Sequence, residues 1–250
     1  MNVFIYDTDV NSGEHEKTLA YIETRITDLG LSGKIARLSL MKNVDDIIID
    51  ECRRGATMFV AVGGDSLVNK IINNLENCDV VVGIIPLGQE NSIAQSLGIA
   101  SPEEACDILA MRRVETLNIG QANNSYFISQ AIITGTNIFL HIDEKYSVQL
   151  EKNGVAKVIN LAPPDESYQN LPKKISPQDQ TLELILETQN KKNLFKKELE
   201  QSFFSCSKLT ISGEKNSQLI LDNTKKISTP VEISLAAKKI NFVVGKNRNF

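Results

Sequence analysis

Two stretches of consecutive apolar residues, Thr57 to Val62 (TMFVAV) and Val80 to Ile85 (VVVGII), each lead into a glycine-containing turn and then a helical stripe. A strand without polar alternation is buried on both faces, the condition of inner strands in a parallel sheet covered by helices. The rest of the first 120 or so residues keeps this rhythm. Asn2 to Tyr6 and Lys34 to Leu40 read as further strands. Leu19, Ile22, Ile26 and Leu29 recur at helical spacing after Ser12-Gly13-Glu14, and Ile47, Ile48 and Cys52 give a second helix its face. Leu67, Val68, Ile71, Ile72 and Leu75 mark a third helix, Ser92 to Leu97 a fourth, and Ser101-Pro102-Glu103-Glu104 opens a fifth with a Ser cap and Pro in the first helical position.

Beyond residue 120 the pattern changes to strands separated by turns: Tyr126 to Ile133, Ser147 to Leu150, Val155 to Leu161, Thr181 to Glu187, Lys208 to Ile211, Leu219 to Leu221, Val231 to Leu235 and Lys239 to Val244. Only Leu194 to Phe204 reads as helical. The expectation is an α/β domain with a parallel sheet over residues 1–120 and a second, antiparallel β domain over 121–250, its terminal strands free to return to the first domain. A chain of 250 residues with 42% hydrophobic content is long enough for both cores. Pro163-Pro164, Pro172 and Pro177 mark a long loop before Thr181, read as an exposed connection.

Charge and cysteine usage remove several function classes. The net charge of −4 gives no general reason to bind nucleic acid, although the halves divide as −8 and +4 about residue 125. His15 and His141 are the only imidazoles, and Cys52, Cys78, Cys106 and Cys206 form no C-x-x-C, so a zinc site is poorly supported. His141 is placed in a polar turn without a catalytic role. Four isolated thiols, an acidic N-terminus unlike a signal peptide and no apolar run of about 18 residues point to the cytoplasm, with any lipid reached at the membrane surface. Lys173-Lys174, Lys191-Lys192 and Lys196-Lys197 could meet anionic headgroups, and Phe195, Phe203 and Phe204 a membrane; solvation and packing are the plainer readings.

The chemistry concentrates at the two strand-to-helix junctions. Gly63-Gly64-Asp65 lets backbone approach a ligand beside a helix N-terminus, a ready anion site. Read alone, it is a turn with Asp65 as the helix cap. Pro86-Leu87-Gly88 follows the next strand, and two such loops at the carboxyl ends of neighbouring parallel strands line one crevice, where open α/β sheets bind ligands.

Gly63-Gly64-Asp65-Ser66-Leu67-Val68-Asn69 resembles the G-G-D-G-T-x-N loop of the diacylglycerol kinase catalytic-domain family, which includes bacterial lipid kinases and sphingosine kinases. Ile84 to Ile99 resembles its I-I-P-x-G-T-x-N-D-F-A-x-x-L-G-I segment, which separates lipid kinases from the related NAD kinases. Leu221-Asp222-Asn223-Thr224, with Pro230 to Ile233 and Ile240 to Val244, resembles its D-G-E turn and closing hairpin. The resemblance implies an α/β nucleotide domain over residues 1–120 followed by a β-sandwich over 121–250. It also implies ATP-dependent phosphorylation of a lipid hydroxyl, with Gly63, Gly64, Asp65, Asn69, Gly88 and Asn91 cradling nucleotide, Mg2+ assisting, Asp65 on the phosphate and metal side and Asp222 as general base. Against the family pattern, Ser66 and Leu67 replace Gly and Thr, Ser92 and Asn118 replace two Asp, and Thr224 replaces a Glu. With three carboxylates absent, Mg2+ binding should weaken, and the rival expectation is a pseudokinase, a catalytically inactive module that binds nucleotide or lipid. The identity of the lipid and the oligomeric state are left open.

Overall fold

The computed structural model describes residues 1–11, 13–76, 78–150, 154–168, 171–193, 196–213 and 217–250. The chain forms two units: Met1–Leu117 with Pro163–Tyr168 and Lys238–Phe250, and Asn118–Ala162 with Gln169–Ala237.

The first unit alternates strands and helices in the expected order: β1 (Asn2–Tyr6), α1 (Glu16–Asp28), β2 (Gly33–Arg37), α2 (Val44–Arg53), β3 (Met58–Gly63), α3 (Asp65–Asn73), β4 (Val81–Pro86), α4 (Ser92–Ser96) and α5 (Pro102–Met111). The strands lie side by side as β2-β1-β3-β4, all parallel, and all six residues of β3 are buried. That burial is why the sequence shows an unbroken apolar run there. The helix starts carry their own signals. Asn43 accepts the Asp46 N–H at 2.8 Å ahead of α2, and Ser101 accepts the Glu104 N–H at 3.2 Å ahead of α5, where Pro102 occupies the first position. Gly63 pairs with Pro86 across β3 and β4, so both glycine loops leave the same edge of the sheet.

The second unit is antiparallel. After β5 (Val114–Ala122), which contributes residues to both units, come β6 (Ser125–Phe127), β7 (Gln130–Gly135), β8 (Ile138–Ile142), β9 (Tyr146–Leu150), β10 (Gly154–Ile159), β11 (Leu182–Asn193), β12 (Lys196–Cys206), β13 (Lys208–Ser212), β14 (Gln218–Leu221), β15 (Lys225–Ser228) and β16 (Val231–Val243). One sheet runs β12-β11-β10-β7-β14-β15. In the other, β9, β8, β13 and the first residues of β16 pair in that order. Ile133, Leu140, Val158, Leu184, Leu209, Leu219 and Ile233 are among the residues of its core.

The second unit also corrects several expectations. Residues 196–204 belong to β12, paired along its length with β11, and are not helical; Leu194 and Phe195 lie outside the described residues. Lys, Glu and Leu favour a helix locally, but a long ladder partner overrides such weak preferences. Phe203 is exposed and Phe204 packs against the core. His141 sits on β8, not in a turn, with Nδ1 2.8 Å from Ser147 Oγ. Residues 126–133 are divided between β6 and β7, β15 had no expected counterpart, and the two strands expected near the end are the single strand β16, whose Asn241 and Phe242 pair in parallel with Val81 and Val82 of β4. The thiols are not all isolated: Cys52 and Cys78 form a disulfide.

Candidate active site

In the first unit the Gly63-Gly64-Asp65 turn is packed directly against the loop after β4. The Asp65 N–H donates to Glu90 O at 2.7 Å, and Leu87 N–H donates to Gly63 O at 3.3 Å. A side chain on Gly64 would lie 2.3 Å from Gln89 O, so glycine there permits close approach of the two loops. Gly88 has φ +84°, a conformation that strains any residue with a Cβ. The loops therefore lie together, as their placement on neighbouring strands requires.

Asp65 is 4% exposed, and both carboxylate oxygens are engaged. Oδ2 accepts the Ser92 N–H at 2.9 Å and the Ser92 hydroxyl at 2.6 Å, while Oδ1 accepts the Ile93 N–H at 3.1 Å. The first residue of α3 thus caps α4, supplying an anion to two amides with no acceptor inside their own helix. Burial pushes the Asp65 carboxyl above its usual range, opposed by the Ser92 hydroxyl and the two amides.

Asn69, one turn into α3, is 7% exposed, and both its side-chain nitrogen and oxygen are buried without a hydrogen-bond partner among the described residues. Asn91 donates Nδ2 to Gly88 O at 3.0 Å, whereas its Oδ1 is buried and unpartnered. Orphaned buried amides are costly unless a ligand or water completes them. Asp7 was not singled out from the sequence. It lies one residue past β1, its N–H donates to Val62 O at 3.1 Å, and a Cβ on Gly63 would fall 3.0 Å from its Cβ. Its signal was an acidic residue at the carboxyl end of an inner strand.

Asp222, in the second unit, has a structural task. It and Asn223 hold φ values of +43° and +57°, the left-handed central pair of a turn closed by Thr224 N–H to Leu221 O at 2.8 Å, within the three-residue connection between β14 and β15. Asp222 Oδ2 accepts the Ile128 N–H at 2.7 Å, and Oδ1 accepts those of Ser129 at 2.8 Å and Gln130 at 2.7 Å. Around it lies a polar network that sequence reading passed over. Asn160 Nδ2 donates to Asn118 O at 2.9 Å and Ile128 O at 2.8 Å, and Ser129 Oγ donates to Leu161 O at 2.8 Å. Asn118 donates its N–H to Pro177 O at 2.7 Å and its side chain to Asp179 O. These residues hold the β6–β7 connection, the end of β10 and the loop before β11 together.

Lys173 is committed to Asp179 and Glu183 at 3.1 and 2.8 Å. The side chains of Lys191, Lys192, Lys196 and Lys197 lie outside the described ones. Among the described residues, no three His, Cys, Asp or Glu side chains gather to hold a metal ion, and Asp65 spends its oxygens on α4. Of the carboxylates expected on the metal side, Asp65 is therefore occupied by α4 rather than open to Mg2+. No described helix is long and apolar enough to cross a membrane.

A parallel α/β unit with two glycine loops at one sheet edge, joined to an antiparallel β unit, defines a two-unit α/β plus β architecture. Residues 2–122, just under half of the chain, match the family model of the diacylglycerol kinase catalytic domain. The chain is 35% identical over 78 residues to a diacylglycerol kinase of Bacillus subtilis strain 168, covering 30% of this chain and 26% of that protein. Over 145 residues it is 31% identical to a probable lipid kinase YegS-like of Enterobacter sp. strain 638, covering 54% and 48%. The matched stretches thus span less than half the length of these relatives. The crystal structure of a diacylglycerol kinase from Bacillus anthracis strain Sterne shares the fold, with TM-score 0.78 over 99% of this chain and 97% of that one at 16% identity.

Proposed function

We propose that this chain binds ATP on the first unit and belongs to the lipid-phosphorylating proteins, with transfer to a lipid hydroxyl slow or absent. Residues 1–120 act in this reading as the nucleotide domain and 121–250 as the second domain. The observation that carries nucleotide binding is the orphaned amide of Asn69 behind the Gly63-Gly64-Asp65 turn, together with Asn91 Oδ1 beside Gly88. Both are polar groups with capacity left for a ligand, in the region where phosphates would meet the loops. Gly63, Gly64 and Gly88 supply backbone, and Asp65 orients α4 rather than a metal.

A specific observation favours the non-catalytic form. In-line phosphoryl transfer rests on positioning and on neutralising charge around the phosphate. Here the carboxylates matching the family's motifs are tied down, Asp65 by Ser92 and Ile93, Asp222 by three backbone amides. To act as general base, Asp222 would have to give up donors that hold its own turn. The partner classes are therefore a nucleotide and a lipid met at the membrane surface, with the cytoplasm as the expected compartment.

Calorimetric titration with Mg-ATP, followed by labelled-ATP transfer across diacylglycerol and sphingoid lipids, tests both parts. Micromolar to millimolar ATP affinity with little or no lipid phosphorylation is expected. Absence of nucleotide binding overturns the first part. Robust turnover overturns the second, provided Asp222→Asn abolishes it while remaining folded.

A further inference from the structure

Cys52, in the last turn of α2, and Cys78, in the connection from α3 to β4, are bonded across a sequence separation of 26 residues. Both are half-buried, whereas Cys106 and Cys206 are buried, and burial pushes those two thiols up to about 11 and about 12. At neutral pH the buried pair is therefore protonated and inert. The bridge forms part of the wall of a cavity of about 720 Å³, lined also by Ile48, Arg53, Glu76 and Asp79. A small zwitterionic molecule entering it meets a guanidinium in Arg53 and carboxylates in Glu76 and Asp79.

The connection carrying Cys78 is held in place by more than the bridge. Lys238 Nζ donates to the backbone oxygen of Leu75 and, at 3.1 Å, to that of Cys78, while Cys78 N–H donates to Leu75 O at 3.0 Å. With those contacts in place the two sulfurs stay near one another when the bond is open, the condition for reversible closure.

We propose that Cys52 and Cys78 are a thiol–disulfide exchange site, served through this cavity by low-molecular-weight disulfides of the glutathione type. In closure, one protein thiolate attacks a sulfur of the reagent, forming a mixed disulfide and expelling one small thiolate. The second protein thiolate attacks the protein sulfur of that mixed disulfide, forming the Cys52–Cys78 bond and expelling the other small thiolate. The protons of the two protein thiols end on the two released thiols, so the protein loses two electrons and the reagent gains them. Reduction by an excess of the small thiol runs the same steps backwards. The bond ties α2 to the far ends of α3 and β4, whose other ends carry the glycine loops. The proposal stands whether or not those loops bind nucleotide.

The test is equilibration of the folded chain with reduced and oxidised glutathione at graded ratios, followed by rapid alkylation and mass spectrometry. Alkylation at Cys52 and Cys78 should rise together as a two-electron titration, while Cys106 and Cys206 stay unlabelled. Cys52→Ser and Cys78→Ser should each trap glutathione on the remaining partner. Reduction should lower the melting temperature of the wild type by several degrees and leave both variants unchanged. The proposal is overturned if alkylation at Cys52 and Cys78 does not change with the ratio, or if the bond persists in the folded chain under dithiothreitol. The wild-type titration decides even if a serine variant fails to fold.

Discussion

The hydroxyl of Ser92 donates to Oδ2 of Asp65 at 2.6 Å across 27 residues of chain, and the Ser92 N–H joins it at 2.9 Å. This pair latches the first glycine loop to the helix after the second. At the position of Ser92 the family resemblance implies an Asp, which would place one carboxylate against another. Serine turns that potential repulsion into a donated hydrogen bond, so the same substitution that removes a candidate metal ligand makes the latch self-sufficient.

Ser92→Ala should cost about 1–2 kcal/mol, the loss of a hydrogen bond to a charged acceptor. Ser92→Asp should cost more, and its deficit should be larger at pH 8 than at pH 5, because two facing carboxylates resist ionising together. Urea melts of both variants at the two pH values measure this. An equal deficit for Ser92→Asp at both would contradict the geometry.

The raised pKa of Asp65 fixes the sign of a pH dependence. A carboxyl that binds its proton more tightly when folded makes the folded state hold more protons than the unfolded chain, from the unfolded value of about 4 up to its folded value. The Asp65 contribution to stability is therefore full below that window and falls as pH rises through it. Denaturant midpoints taken stepwise from pH 4 to 7 should show this falling component in the wild type and lack it in Asp65→Asn. A component that rises with pH and disappears in the variant would reverse the assignment.

Asp222→Asn should destabilise the second unit by roughly 2–4 kcal/mol, since an amide nitrogen would face one of the three donors that now meet a carboxylate. The expected readout is a lowered melting temperature of that unit. Loss of any activity in this variant thus reports on catalysis only when the assay is run below its melting transition.

Replacing Gly64 by alanine sets a Cβ 2.3 Å from a backbone oxygen, so one of the two loops must move. We expect a loss of about 2–3 kcal/mol together with at least tenfold weaker Mg-ATP binding, read by thermal melting and calorimetry on one sample. Wild-type affinity in a stable Gly64→Ala protein would show that the loop contact does not shape the site.

Restoring the family's residues with Ser66→Gly, Leu67→Thr and Ser92→Asp should strengthen Mg-ATP binding if the site is a decayed kinase cleft. Leu67 is fully buried and its Cδ2 lies 3.1 Å from where a Gly63 side chain would begin. The triple variant should therefore lose about 2 kcal/mol of stability through Leu67→Thr alone. Calorimetry at a temperature where it remains folded separates the two effects, and unchanged affinity there counts against a decayed cleft.

Local patterns carried the first unit because its strands and helices declare themselves within short windows. An unbroken apolar run such as Met58–Gly63 and a cap such as Ser101 before Pro102 have their physical cause in adjacent residues. The two glycine loops were legible for the same reason, since parallel strands bring their carboxyl ends to one edge. The long strand β12 was not legible: residues 196–204 have helical preferences, and only pairing with β11 makes them a strand.

The sequence by itself determined the order of the first unit's elements, the placing of Gly63, Gly64 and Gly88 in its loops and the presence of Asp65 and Asp222, because these follow from residue type and near neighbours. Tertiary structure alone decided what those groups are engaged with: Asp65 caps a helix 27 residues away, Asp222 gathers amides 92–94 residues away, and Cys52 meets Cys78. Hydrogen-bond capacity and sulfur proximity are exhausted by whichever partner the fold brings within about 3 Å, and sequence spacing does not encode that distance once the partners lie on different elements.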